Sequence, residues 1–244
     1  KIEEKITSRT KAIMTVDIFG QSSNSEEIMK IARQHNLRVI SDSAQAPGAR
    51  RNGKFAGTLT DFGGISLNYH KHIHTGEGGV LFTNDDNLAF RAQLIRNHAE
   101  SVVAEAGVIN LSNMIGHNFR MTEMQAAIGI AQLPKLNKIT NIRSKQGALL
   151  SELLKDLPGL IIPKIALGNS HVYYTYAFQI DPTIVKVSKD FIIKDLTEQG
   201  VVNLSGKYPL LHLLPLFQKK VAYGRGNFPW SLYPETMAIS YSKG

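Results

Sequence analysis

A lysine that attacks an aldehyde must be at least partly neutral, and a carboxylate sunk at a strand end must meet a cation or hydrogen-bond donors. Three short segments of this chain hold residues of those types. The first is Asp42-Ser43-Ala44-Gln45-Ala46-Pro47-Gly48-Ala49. It follows an apolar run, so Asp42 stands where α/β sheets bind ligands, at the carboxyl end of a strand. A protonated ring nitrogen would satisfy it there; so would a turn that it caps. The second is Ser66-Leu67-Asn68-Tyr69-His70-Lys71. A hydroxyl at Ser66 can bind a phosphate, and Lys71 can serve as the nucleophilic amine. The third is Thr75-Gly76-Glu77-Gly78-Gly79, whose glycines demand unusual backbone angles or close approach. It carries neither a Gly-Lys-Ser/Thr nor a G-x-G-x-x-G pattern, and a tight turn also explains it.

The elements that must position these segments alternate. Ala12 to Val16, Arg38 to Asp42, Gly64 to Leu67 and Gly79 to Phe82 read as strands. Asn24 and Glu27 are spaced as a capping box before the helical spacing of Ile28, Ile31 and Ala32. Leu88, Ala92 and Ile95 mark another helix. Thr122 and Gln125 form a second capping box, and Pro134 can open a long helix that Pro158-Gly159 ends. Strands alternating with helices imply an α/β layer with a mostly parallel sheet flanked by helices. Beyond it, Tyr173 to Ile180 is β-rich, Ser188 can cap a helix stopped by Gly200, and Val201-Val202 is strand-like. The expected domains are therefore residues 1–154, part of a large α/β domain, and 155–244, a smaller and incomplete α+β domain. Both ends read as cut.

The chain has 244 residues, 43% of them apolar and 20% charged, an ordinary globular balance. It has no cysteine, which excludes disulfides and thiolate chemistry. No apolar run reaches membrane-spanning length, and residues 1–9 do not resemble a signal peptide, so the cytoplasm is the expected compartment. The net charge of +8 favours anionic ligands. The basic residues are scattered, and the cluster Arg50-Arg51-Asn52-Gly53-Lys54 reads as a solvated turn, so neither nucleic acid nor membrane is an expected partner.

Taken in order, Asp42, Gln45, Ser66, Lys71 and Thr75 to Gly79 resemble the DegT/DnrJ/StrS family of sugar aminotransferases. Arg96-Asn97-His98, Gly116 to Met121 with Glu123 and Ala126-Ala127, and Tyr208 to Phe217 are similar to further family segments. The resemblance runs from about Ala12 to about Phe228. It implies the pyridoxal 5'-phosphate (PLP) transferase fold of type I, with an N-terminal part missing from this chain. It also implies roles. Lys71 is the catalytic residue and forms the Schiff base with the cofactor. Asp42 pairs with the pyridinium nitrogen, Gln45 lies beside the ring, and Ser66 binds the phosphate. Asn118 reaches that phosphate from the neighbouring subunit of a homodimer. The implied reaction carries an amino group from an amino acid, often glutamate, to a keto-sugar that is usually nucleotide-linked.

Several positions depart from that pattern. The family's upstream third, which supplies a phosphate-binding turn and an aromatic residue against the ring, is absent, and the chain as given would hold PLP poorly. Asp17 stands for an expected His, and His117 for an expected Tyr. His70, His72 and His74 alternate but lack a carboxylate or Cys to complete a metal site, and none is expected. His98 and His212 are ordinary hydrogen-bonding residues or substrate contacts. Two other readings stay open. One is a related PLP-dependent sugar dehydratase, whose Schiff-base position carries His. The other is a catalytically idle regulatory relative.

Overall fold

The computed structural model describes residues 1–100, 114–206 and 208–242. They form two compact units, residues 1–181 and 182–244. The change of sequence texture lies near residue 155, whereas the units divide after Asp181.

The first unit is built on a four-stranded sheet. β1 (Ala12–Val16) pairs in parallel with β2 (Arg38–Asp42), Ala12 opposite Arg38 and Val16 opposite Asp42. A parallel pair needs a crossover, and α1 (Ser25–Gln34) provides it. Two short strands, β3 (Arg50–Arg51) and β4 (Lys54–Phe55), close a hairpin through Asn52 and Gly53, both at positive φ. β5 (Phe62–Ser66) then adds to the other side of β2 in parallel, Asp42 opposite Gly64. β6 (Gly79–Phe82) runs antiparallel beside β5, giving the order β1-β2-β5-β6. The expected mostly parallel sheet thus has three parallel strands and one reversed edge strand.

Helices follow as local signals dictate. Asp85 accepts the N–H groups of Asn87 and Leu88 and starts α2 (Asp86–Arg96). Thr122 and Gln125 make the expected capping box of α3 (Glu123–Gln132). Pro134 sits in a single 3-10 turn before α4 (Leu136–Leu154). A two-residue pair, β7 (Leu160–Ile161) with β8 (Gln179–Ile180), ends the unit.

Three expectations are corrected. Asn24 precedes α1 but its side chain caps nothing; its Oδ1 accepts from Arg51 Nη2 at 2.7 Å instead. A cationic donor on β3 outcompetes the helix N–H groups. Of the β-rich stretch 173–180 only Gln179–Ile180 is strand, because its aromatic part packs along α4 rather than on a sheet edge. Val201-Val202 is not strand. The second unit contains α5 (Lys189–Glu198), capped by Ser188 as expected, with α6 (Pro215–Gln218) and α7 (Pro234–Met237). Its described residues hold no strand. No helix among the described residues is long and apolar enough to cross a membrane.

Ala46, Ala49, Ala56 and Val172 form a buried cluster beneath the hairpin, so residue 172 is tied to the first strands across a long stretch of chain. α4 fixes that stretch. Arg143 donates from Nε to the Tyr173 carbonyl at 2.9 Å and from Nη2 to the Tyr174 carbonyl at 3.0 Å. Ser144 Oγ donates to the His171 carbonyl at 2.7 Å. One turn on, Gly147 leaves room for the Tyr173 ring: a Cβ there would stand 2.6 Å from three of its atoms. Gly147→Ala should gain ~1 kcal/mol of helix propensity and lose about 1–3 kcal/mol to overpacking. Because Arg143 pins the Tyr173 backbone, the loss should win, and urea unfolding should show a lower midpoint than wild type.

Candidate functional site

The carboxyl ends of β1, β2 and β5 share one end of the sheet because the three strands run in register. Asp17, Asp42 and Ser66 therefore come together from three separate sequence segments. Asp17 follows β1 and is fully buried. Its Oδ1 accepts from Ser23 N at 2.7 Å, and its Oδ2 accepts from Ser41 Oγ at 3.0 Å and Ser43 Oγ at 2.6 Å. Its backbone N–H donates to the Asp42 carbonyl at 2.8 Å. The two serines flank Asp42, so this buried carboxylate holds the Asp42 backbone from both sides. Asp42 itself is half-buried, and its Oδ1 accepts from Ala44 N at 3.0 Å. That is the capping turn allowed by the sequence, and it leaves Oδ2 for a ligand.

Gln45 is buried and accepts the Phe19 N–H through Oε1 at 2.8 Å. It thereby ties the turn after β2 to the turn after β1. Phe19 has φ of 60°, a left-handed conformation rare outside glycine, and this bond helps hold it.

Ser66 ends β5. Its Oγ accepts from Asn68 N at 3.2 Å, and the Lys71 N–H donates to the Asn68 carbonyl at 3.0 Å. The loop thus curls back within five residues. Behind it, Leu67 N donates to the Gly78 carbonyl and Thr75 N to the Leu67 carbonyl. Gly76 and Gly78 take φ of 83° and 151°, the unusual angles expected of the glycine-rich segment. Lys71 lies with Nζ 4.4 Å from the centre of the Tyr174 ring. Burial pushes its ammonium below the ordinary lysine range, and the Asp42 charge opposes that shift. The Lys71 amine thus feels the Asp42 charge at the sheet end where Ser66 also closes β5, and Gln45 braces the turn after β2.

Asn118 lies elsewhere. It pairs with Asn97 in an isolated antiparallel bridge, on an extended segment where His98 N donates to the His117 carbonyl. Its Oδ1 accepts from Arg120 N at 3.4 Å, and it is exposed. His117 stacks on Phe119 with centroids 5.0 Å apart. Residues 101–113, which precede this segment, lie outside the described residues.

The alternating histidines make unlike contacts. His70 and His72 lie 6.1 and 6.0 Å from the Tyr174 ring, centroid to centroid, while His74 Nδ1 accepts from Gly76 N. Among the described residues no group of three His, Cys, Asp or Glu side chains could hold a metal. Tyr174 and Arg143 were not singled out by sequence. They stand far along the chain, and packing against α4 and the turn after β1 brings Tyr174 to Lys71.

A model of the DegT/DnrJ/EryC1/StrS aminotransferase family matches residues 1–241. The chain belongs to that family. Among its curated relatives is a GDP-perosamine synthase of Caulobacter vibrioides, 36% identical over 216 residues, covering 88% of this chain and 57% of the relative. Among solved structures, S. venezuelae DesV, determined in complex with a ketimine intermediate, superposes with a TM-score of 0.78 at 27% identity, over 95% of this chain and 59% of that one. An E. coli GDP-4-keto-6-deoxy-D-mannose-3-dehydratase with bound hydrated PLP superposes with a TM-score of 0.72 at 28% identity, over 82% of this chain and 54% of that one. The neighbours show the type I fold of PLP-dependent aminotransferases. The chain spans about three-fifths of the length of the curated relatives it matches.

Two buried imidazoles behind the site set a pH limit. Burial holds His72 down at about 4; the Val172 carbonyl opposes this, while the Arg143 and Lys71 cations add to it. Burial alone holds His171 at about 4. Both rings are neutral by geometry too. His72 Nε2 donates to the Val172 carbonyl and its Nδ1 has no partner; His171 Nδ1 accepts the Tyr173 N–H at 3.0 Å. A folded-state pKa below the unfolded 6.5 means the unfolded chain binds protons first as pH falls. The stabilisation is complete above pH ~6.5 and is lost between there and pH ~4, at about 1.4 kcal/mol per pH unit for each ring. Urea titrations at pH 7, 6 and 5 should show that decline. His171→Asn, which keeps an acceptor for Tyr173, should flatten it by one proton.

Proposed function

We propose that this chain is the cofactor-binding core of a PLP-dependent aminotransferase that moves an amino group from an amino acid, glutamate first among candidates, to a nucleotide-linked keto-sugar. The observation that carries this reading is Lys71: a half-buried amine, shifted toward neutrality, electrostatically coupled to a carboxylate at the end of the neighbouring strand. The donor set fits the cofactor. Lys71 offers an amine for the aldehyde, Asp42 an anion for a protonated ring nitrogen, and Ser66 a hydroxyl for the phosphate. Asn118, exposed and on a separate segment, suits a role toward the neighbouring subunit of a homodimer.

When bound, PLP supplies an aldehyde that exchanges amines and a ring that takes up the electron pair left by a departing proton. The chain's residues do the rest. Lys71 Nζ would hold the cofactor's aldehyde carbon and, when free, would accept a proton from the donor's α-carbon in one half-reaction and deliver one to the acceptor's carbon in the other. Its lowered pKa keeps a share of the amine neutral for both tasks. Asp42 keeps the ring nitrogen protonated, since an opposite charge favours the charged form. The Asp17–Ser41–Ser43 network and Gln45 fix Asp42 and the turn below it. The Schiff-base position is Lys71 rather than His, which favours transamination over the dehydratase chemistry.

In full-length protein, adding PLP should produce a visible absorption band that Lys71→Ala abolishes. Glutamate should bleach that band and a nucleotide-linked keto-sugar restore it. Asp42→Asn should lower turnover by roughly one to three orders of magnitude. A wild-type protein that takes up no PLP would end this reading; uptake without bleaching by any amino acid would favour the dehydratase.

A further inference from the structure

Lys71 needs a second holder. Asp42 acts on it only through charge, and its own loop is anchored by backbone bonds on one side. Its side chain spans several rotatable bonds, so an unheld Nζ would sample water rather than one direction. The Tyr174 ring lies directly against it, its centre 4.4 Å from Nζ.

The backbone that carries that ring is held from two sides, and the ring has neighbours of its own. Arg143 fixes the carbonyls of Tyr173 and Tyr174 from α4. Gly20 approaches from the turn after β1: its φ is 105°, and a Cβ there would stand 2.8 Å from Tyr174 N and 2.9 Å from Tyr173 N. Only glycine allows that approach at that angle. The Gly20 carbonyl meanwhile accepts Val172 N at 2.8 Å. The imidazoles of His70 and His72 border the same ring. Two separated segments therefore fix the backbone that carries the ring, while the loop 70–72 borders the ring and sets Lys71 over it.

We propose that Tyr174 is the positioning residue for Lys71: its ring face holds Nζ at the sheet end and screens it from water on the side away from Asp42. This rests on the reading of Lys71 as the cofactor-binding amine. A cation gains about 1 kcal/mol or more over such a ring, equivalent to about a fivefold bias toward the held position. The ring face does this work, not the hydroxyl, so phenylalanine should replace it and leucine should not.

Two measurements test the proposal. In full-length protein carrying 13C-labelled lysine, the Lys71 Hε resonances, assigned by their loss in Lys71→Arg, should lie upfield of the other lysines through the ring current. Tyr174→Phe should keep that shift and Tyr174→Leu remove it. With PLP added and borohydride used to fix it, the rate of cofactor capture on Lys71 should fall about fivefold in Tyr174→Leu and stay within about twofold in Tyr174→Phe. An unshifted Lys71 in the wild-type spectrum overturns the proposal without recourse to any variant. So does capture at the wild-type rate in the leucine variant, or an equal loss in the phenylalanine variant. If wild-type protein captures no PLP at all, the reading of Lys71 fails instead, and the spectrum alone still decides the contact.

Discussion

The parallel register of β1 with β2 is the constraint on which the site depends. It sets Val16 opposite Asp42, so the first residue beyond β1 must lie beside the residue that carries the half-buried carboxylate. A slip of one residue would turn every side chain to the other face of the sheet. Asp42 would then point away from β5's end, and Asp17 would lose both serines. The buried polar network resists such a slip. Asp17 is a fully enclosed carboxylate with three donors, and any other register would leave it enclosed without them. Burying a carboxylate adds little net stability, but it makes the alternatives much worse.

The same logic separates the two charged groups that matter. Asp17 and Asp42 are neighbours of the same type, yet their surroundings differ. One is sealed and saturated with donors; the other is half-buried and spends one oxygen on its own turn. A sealed carboxylate can only brace, whereas a half-open one can meet a ligand. Lys71 stands between these extremes. Enough burial to push its pKa down makes it a usable amine, and enough exposure leaves it reachable.

The strands of the four-stranded sheet, the helix caps at Thr122 and Ser188, and the placement of Asp42 and Ser66 at strand ends were legible because each leaves a local trace. An apolar run ending in Asp, a Ser five residues before a Lys, or a Thr three before a Gln can be read without knowing what lies opposite. The Asn24 cap was misread because a competing donor, Arg51, arrives from another segment. The aromatic stretch 173–178 was misread as strand because aromatic residues suit any half-buried surface, and here that surface is helix α4. Apolar strand runs also do not tell which strand is an edge: Met14 on β1 and Leu81 on β6 are 66% and 62% exposed. Tyr174 was invisible for a similar reason. Its partner Lys71 is about a hundred positions away, and nothing in either neighbourhood encodes the meeting.

The substitution at position 17 shows how such long-range facts are written into sequence all the same. The family resemblance leads one to expect His there. A neutral imidazole offers one donor and one acceptor, whereas a carboxylate only accepts. The environment of Asp17 supplies donors alone: one backbone N–H and two hydroxyls, from Ser23, Ser41 and Ser43. The hydroxyls of Ser41 and Ser43 also approach each other at 2.9 Å, so each can donate inward while the pair stays compact. An imidazole in the same place would present a ring N–H to part of that donor set and force at least one hydroxyl to turn. Asp17 and its serines are therefore one unit of design. What looks in the sequence like an isolated departure from the family is, in space, matched by the residues on both sides of Asp42.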